Sequence, residues 1–216
     1  MSLLERVREQ HWTRWVVFGL GAVLVVGLSW AGWAAWKTRY ETQGGFAFAQ
    51  ARLLALQAQV PNSAPDAREK AEKALQAVIT DYPRLSSVAQ AAYTLGSIQF
   101  SAGQYSQARA SYETARSKAR SKSLATLAGL DIAYCWEAEK NYGTAETAFQ
   151  SVINGAKPQA FLYEEGHVGV ARSQELGGKR AAAVETYQRL LKDLPDTRRA
   201  EEIRSRVASL QTTAKP

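Results

Sequence analysis

Four alanines, Ala71, Ala108, Ala145 and Ala183, recur at intervals of 37, 37 and 38 residues. A fixed period of this size marks stacked structural units, because each unit has an apolar face that it cannot bury alone. Each alanine also belongs to a stripe at helical spacing. Tyr105, Ala108, Tyr112, Ala115 and Ala119 fall at i, i+3, i+7, i+10 and i+14, which places them on one side of a helix. The same stripe returns as Ala71, Leu75, Val78, Tyr82, as Tyr142, Ala145, Phe149, Val152, and as Ala183, Tyr187, Leu190, Leu194. Beyond Tyr40, Ala, Gln, Leu, Arg and Glu dominate and alternating β-branched runs are absent, so the chain reads as all-α. Pro61, Pro65, Pro83, Pro158 and Pro195 stand where a helical pattern stops.

Each stripe is preceded by an earlier helix and a turn. Gly96 before the turn Gly103-Gln104-Tyr105 is expected to face Ala108, since antiparallel helices approach closely only where the side chains at the crossing are small. Ala133 with Ala145, and Ala171 with Ala183, are the matching pairs. The later turns are Lys140-Asn141-Tyr142 and Gly177-Gly178. The first unit is degenerate, with Gln59 at the small position and a loop from Pro61 to Pro65. The long period predicts extended connectors such as Ser117 to Lys122. After Pro195, Asp196 is the expected cap of a last helix whose narrow stripe, Ala200, Ile203, Val207 and Leu210, would cover the open end of the stack.

Ahead of the repeats lies an uncharged run of 22 residues, Trp15 to Trp36. As a helix it measures about 33 Å at about 1.5 Å per residue, enough for a hydrocarbon core of about 30 Å. Trp12 and Trp15 mark one end and Trp30, Trp33 and Trp36 the other, the interfacial positions that tryptophan favours. We read an uncleaved span, against two alternatives: a cleaved signal peptide, for which Ser29-Trp30-Ala31 offers small residues and Gly32 a mature start, and a buried core helix. Gly27, Ala31 and Ala35 make a small-residue stripe, which a second membrane helix or ordinary membrane composition explains equally well. Arg6, Arg8 and Arg14 before the run balance Lys37, Arg39 and Arg52 after it, so charge does not choose the orientation. Gly44-Gly45 is the expected hinge between the span and the repeats.

The net charge of +7 is a mild surplus: residues 1–36 carry three Arg against two Glu, leaving 24 Lys+Arg against 18 Asp+Glu. Arg116, Lys118, Arg120 and Lys122 form its densest cluster, read as a solvated connector in preference to an anion contact because few aromatics stand nearby to stack on bases. No nucleic-acid partner is expected. One Cys and two His are too few for a zinc site or a disulfide framework. His167 and Cys135 fall on apolar helices as structural residues, and no phosphate-binding glycine motif is present. Trp136 is assigned to core packing in preference to a groove anchor. We expect no enzyme, no cofactor and no metal.

Residues 89 to 119 resemble the tetratricopeptide repeat, with Leu95, Gly96, Gly103, Tyr105, Ala108, Tyr112 and Ala115 at the signature positions. The third unit keeps Ile132, Ala133, Tyr142, Ala145 and Phe149 but has Lys140 where glycine is expected. The fourth keeps Val170, Ala171, Gly178, Ala183, Tyr187 and Pro195. The resemblance implies a right-handed solenoid of about four helix pairs plus a capping helix over residues 46–211. A segment 1–14, a transmembrane helix 15–36 and a linker 37–45 would precede it, and a tail 212–216 would follow. It also implies a protein-binding groove on the inner face of each first helix, mapping to Tyr93, Ser97, Leu130, Tyr134, Glu137, Val168, Arg172 and Glu175. The family's carboxylate clamp is not reproduced.

One anchor followed by such repeats resembles the YfgM family, ancillary subunits of the bacterial Sec translocon. The likeness implies a single-pass inner-membrane protein with Trp15, Trp30, Trp33 and Trp36 at the bilayer interfaces, its N-terminus in the cytoplasm and its repeats in the periplasm. There it would assist newly exported proteins beside the translocon and a PpiD-like chaperone. An anchored scaffold for another envelope or cytoplasm-facing complex, and a released assembly factor, are the alternatives.

Overall fold

The computed structural model describes the backbone of residues 3–60, 64 and 66–212, and the side chains from Trp15 onward, apart from 61–63 and 65. The side chains of Arg6, Arg8, Trp12 and Arg14, the prolines Pro61 and Pro65, and the tail after residue 212 lie outside the described residues. Nine helices and no strand occur among the described residues: α1 Leu3–Ala58, α2 Ala67–Asp81, α3 Val88–Ser101, α4 Tyr105–Lys118, α5 Lys122–Ala138, α6 Tyr142–Ile153, α7 Tyr163–Leu176, α8 Arg180–Asp193 and α9 Ala200–Thr212. The chain divides into two compact units, Met1–Phe46 and Ala47–Pro216.

In the first unit, residues 15–36 are helical and exposed on nearly every side, and α1 is one helix long and apolar enough to cross a membrane. This exposure is the opposite of a buried core helix. At its C-terminal end Lys37 sits over the Trp33 ring at 5.2 Å and Trp36 stacks on Tyr40 at 5.4 Å. The backbone stays helical through Gly44 and Gly45.

In the second unit the helices pack in chain order, α2 on α3 and onward to α8 on α9, with α5 also touching α7. The core shows why the pairs need each other. One apolar cluster joins α3 and α4 to α5 through Ala92, Tyr112, Ala128 and Cys135. The next joins α5 and α6 to α7 through Ala133, Phe149 and Val170. The last joins α7 and α8 to α9 through Ala171, Tyr187, Ile203 and Val207. Every cluster therefore takes in the first helix of the following pair, which is the physical content of stacking.

All the periodic alanines are fully buried, as are Ala133 and Ala171. The group pressed against Gly96 is nevertheless the ring of Tyr112, one turn beyond Ala108. A Cβ on Gly96 would lie 2.8 Å from two of its ring carbons. The first repeat differs from its expected register. α1 ends at Ala58, Gln59 is exposed in the following turn, and the buried small residues are Ala51 and Ala55. The connector between α4 and α5 is also short, residues 119–121. The extra length of that period is taken up by α5, which has 17 residues, while the long connector is 154–162. Asp196 does not cap α9, which begins four residues later at Ala200. Within that connector Thr197 Oγ1 accepts from the Arg199 amide at 3.4 Å.

The turns share one geometry. Gly103 (φ 74°), Lys140 (φ 61°) and Gly178 (φ 79°) occupy the same repeat position in the left-handed region. Lysine bears a Cβ penalty there that glycine avoids. Lys140→Gly is expected to raise stability by about 0.5–1 kcal/mol in urea unfolding, the relief of strain exceeding the entropy that glycine adds to the unfolded chain.

A hydrogen bond also repeats. Ser111 Oγ donates to Gln99 Oε1 at 2.7 Å and Thr186 Oγ1 donates to Gln174 Oε1 at 2.8 Å, each across 12 residues between the two helices of a pair. In the intervening unit the corresponding positions are Trp136 and Ala148, which pack against the apolar cluster instead. Trp136 is thus a packing residue, with the Arg109 guanidinium 3.6 Å from its ring centre.

Candidate protein-binding face

The first helices of successive pairs, α3, α5 and α7, together with α9, carry the residues that the repeat pattern assigns to a groove. Their spacing follows from stacking: residues about one period apart come side by side on neighbouring first helices. The Tyr93 hydroxyl hydrogen-bonds Asp131 on the next such helix. Tyr134 donates to Glu165 Oε1 on α7. Arg172 Nε lies 2.9 Å from both carboxylate oxygens of Glu137, and Ser173 Oγ donates to Glu137 Oε2 at 3.3 Å. Arg199 Nη1 donates to Glu165 Oε2 at 3.0 Å, and Arg206 pairs with Glu175 through two nitrogens. The face is laced by a polar ladder between repeats.

This ladder uses most of the predicted groove residues. Tyr93, Ser97, Tyr134, Glu137, Arg172 and Glu175 are half-buried, and all but Ser97 take part in it directly. Ser97 accepts a 3.4 Å hydrogen bond from Tyr112. Leu130 is buried in the cluster with Ala133 and Phe149, so it supports the face from beneath. Val168 is likewise 4% exposed, yet it floors a cavity.

That cavity, of about 490 Å³, brings Val168, Arg172 and Glu175 together with Tyr187 and residues of α9. Arg199, Glu202, Ser205, Arg206 and Ser209 complete its wall. In the sequence Arg199 and Arg206 flank the capping stripe of the last helix and carry no groove assignment. Counting one more period past α7 would have found them, because α9 then occupies the place of another first helix. The cavity offers guanidinium and hydroxyl donors, carboxylate acceptors and an apolar floor. Arg172 Nη2 is itself buried and has no protein partner.

Burial, with hydrogen bonding to Glu165, pushes the Tyr134 phenol up to about 12, and burial does the same for Cys135. Neither is a nucleophile at neutral pH. Burial raises the Asp131 carboxyl, whose Oδ2 has no partner, against the lowering effect of its hydrogen bond to Tyr93. His167 is 7% exposed, sits 4.4 Å from the Tyr163 ring and has an unpartnered Nδ1. Burial lowers its pKa, partly opposed by Asp193 and reinforced by Arg189. The unfolded chain therefore binds the proton more readily. Stability is complete above the ordinary histidine value of 6.5 and falls as pH drops below it. Urea midpoints measured between pH 7.5 and 5.5 should decline in the wild type and decline less in His167→Gln. Among the described residues no His, Cys, Asp or Glu group is arranged to hold a metal ion.

The comparisons with known proteins agree with the repeat geometry. The tetratricopeptide repeat-like domain family matches residues 10–212. The chain belongs to that family. Two solved structures of similar fold are MamA proteins. MamA from residue 41 to its end, from Desulfovibrio magneticus RS-1, has a TM-score of 0.53 at 12% identity and covers 79% of this chain and 98% of its own. The MamA RS-1 ArsTM double mutant has a TM-score of 0.52 at 12% identity, covering 77% and 96%. At such identity the likeness is one of fold. No curated protein sequence matches. As a tetratricopeptide repeat-like protein, the chain has the stacked first helices from which a protein-interaction scaffold is built.

Proposed function

We propose that this tetratricopeptide repeat-like chain is a membrane-anchored scaffold that binds a protein segment on its first-helix face, with residues 15–36 as a single span. The observation that carries the reading is the cavity between α7 and α9. Three residues assigned to the groove converge there with two further arginines and an apolar floor. An extended peptide supplies backbone carbonyls and side chains of the kind such a wall lacks. Because the ladder already fixes the wall, little ordering is required when the peptide binds.

The partner we assign is the Sec translocon together with a PpiD-like anchored chaperone, as in the YfgM family. The N-terminus would be cytoplasmic, residues 37–45 would link the span to a periplasmic repeat domain over 46–211, and newly exported proteins would be the clients. The support is architectural: one exposed apolar helix bracketed by tryptophans, followed by the repeats. Crosslinking in native bacterial membranes, followed by identification of the adducts, tests it. Translocon or chaperone subunits among the adducts are expected. Adducts confined to another complex, or a reporter fused after Pro216 that is active only in the cytoplasm, would instead identify a scaffold for a different assembly.

A further inference from the structure

The connector edge of the solenoid carries a charge pattern that the binding face does not use. From Ala115 to Leu130 the chain contains no acid, and from Thr147 to Tyr163 it again contains none. The fold brings these two segments together around a cavity of about 530 Å³, which Lys122 and Lys157 line along with Phe161. Lys118, Arg120, Lys122 and Lys157 are exposed, and among the described residues the one ion pair in this group is Arg116 with Glu113 at 2.8 Å. Phe161, which lines this cavity with Lys122 and Lys157, is 57% exposed. The four other cations and a protruding aromatic ring complement a surface that presents dense negative charge over an apolar interior. The solenoid unit begins at Ala47, eleven residues beyond the end of the apolar run at Trp36.

We propose that this edge, built from the α4–α5 and α6–α7 connectors, docks on the anionic phospholipid headgroups of the membrane that holds the chain. The inference rests on the anchor reading given above, and it fixes which edge meets the bilayer while leaving the first-helix face for protein. An acidic protein would satisfy the charge but gives no role to the exposed phenylalanine, and a nucleic acid, which could stack a base on it, finds only this one exposed ring among the cavity residues.

The test uses the full chain with Phe161→Cys carrying an environment-sensitive fluorophore, since the native Cys135 is fully buried. It is reconstituted into vesicles of phosphatidylcholine alone, or with about one third phosphatidylglycerol, that contain brominated lipid as a quencher. Quenching is expected to be on the order of tenfold stronger in the anionic vesicles. It should be lost when salt shortens the screening length to about 3 Å. It should also be lost in Lys118→Gln/Arg120→Gln/Lys122→Gln/Lys157→Gln. Equal quenching in both vesicle types would overturn the proposal. So would a shift of the label in neutral vesicles on adding a single-stranded oligonucleotide, which would mark the edge as a nucleic-acid surface. Flotation separates this inference from the anchor reading. Failure to float with neutral vesicles removes the span, and label quenching on anionic vesicles then still supports the headgroup contact, while its absence overturns that as well.

Discussion

Replacing Phe149 with alanine is expected to lower the stability of the solenoid by about 3–5 kcal/mol. The side chain has no exposure, meets Tyr134 edge-on at 5.1 Å, and lies at the centre of the cluster joining α5, α6 and α7. Its surroundings cannot close over the gap. Gly169 presses directly on the ring, such that a Cβ there would sit 2.4 Å from a ring carbon, and a glycine has no side chain to move into the space. The loss should therefore fall toward the upper end of the range, where relaxation is least. Gln150→Ala, on the exposed side of the same helix, should change stability by less than about 0.5 kcal/mol. Urea unfolding of the two variants side by side checks the contrast. Because repeats contact only their neighbours, Phe149→Ala should also broaden the transition by uncoupling the α3–α4 pair from the α7–α8 pair.

The second large effect concerns the span. Val25 and Val26 stand at the middle of the apolar run and are 64% and 67% exposed. An arginine at a helix centre costs about 2.5–3.5 kcal/mol for insertion, so Val25→Arg/Val26→Arg should oppose insertion by about 6 kcal/mol. That exceeds what the nine Val, Leu and Phe residues of the run supply at about 0.3–0.6 kcal/mol each. The variant is expected in the soluble fraction after alkaline extraction, with its repeats folded. Retention of the double variant in the membrane pellet would show that residues 15–36 are not what holds the chain there.

The stack was legible in the sequence because its cause is local. Close helix crossing demands a small residue, and Ala71, Ala108, Ala145 and Ala183 report that demand at one interval. The turn position was equally plain at Gly103 and Gly178, and Lys140 reveals it by adopting their conformation. The first unit was misplaced at Gln59 because α1 runs through its start without a break. With no cap or turn to fix the register, the 37-residue period counted back from Gly96 lands on Gln59, although the small residues are Ala51 and Ala55. The ladder could not be read either. Its partners lie 31 to 36 residues apart in the bonds from Tyr134–Glu165 to Ser173–Glu137, and that register depends on α5 absorbing the extra residues of the period. Leu130 takes its groove assignment from repeat position alone, yet it turns inward to Phe149, while Arg199 and Arg206 carry no groove assignment because α9 reads in the sequence only as a cap.

Site-specific photocrosslinking in native membranes tests the binding face most directly. A photoreactive residue is placed in turn at Ser205 and Ser209, beside the cavity between α7 and α9, and at the exposed Gln107 and Gln150 on second helices. Protein adducts are expected from Ser205 and Ser209 and few from Gln107 and Gln150. Adducts arising chiefly from the second-helix positions would contradict binding on the first-helix face, because the working surface would then be the opposite one.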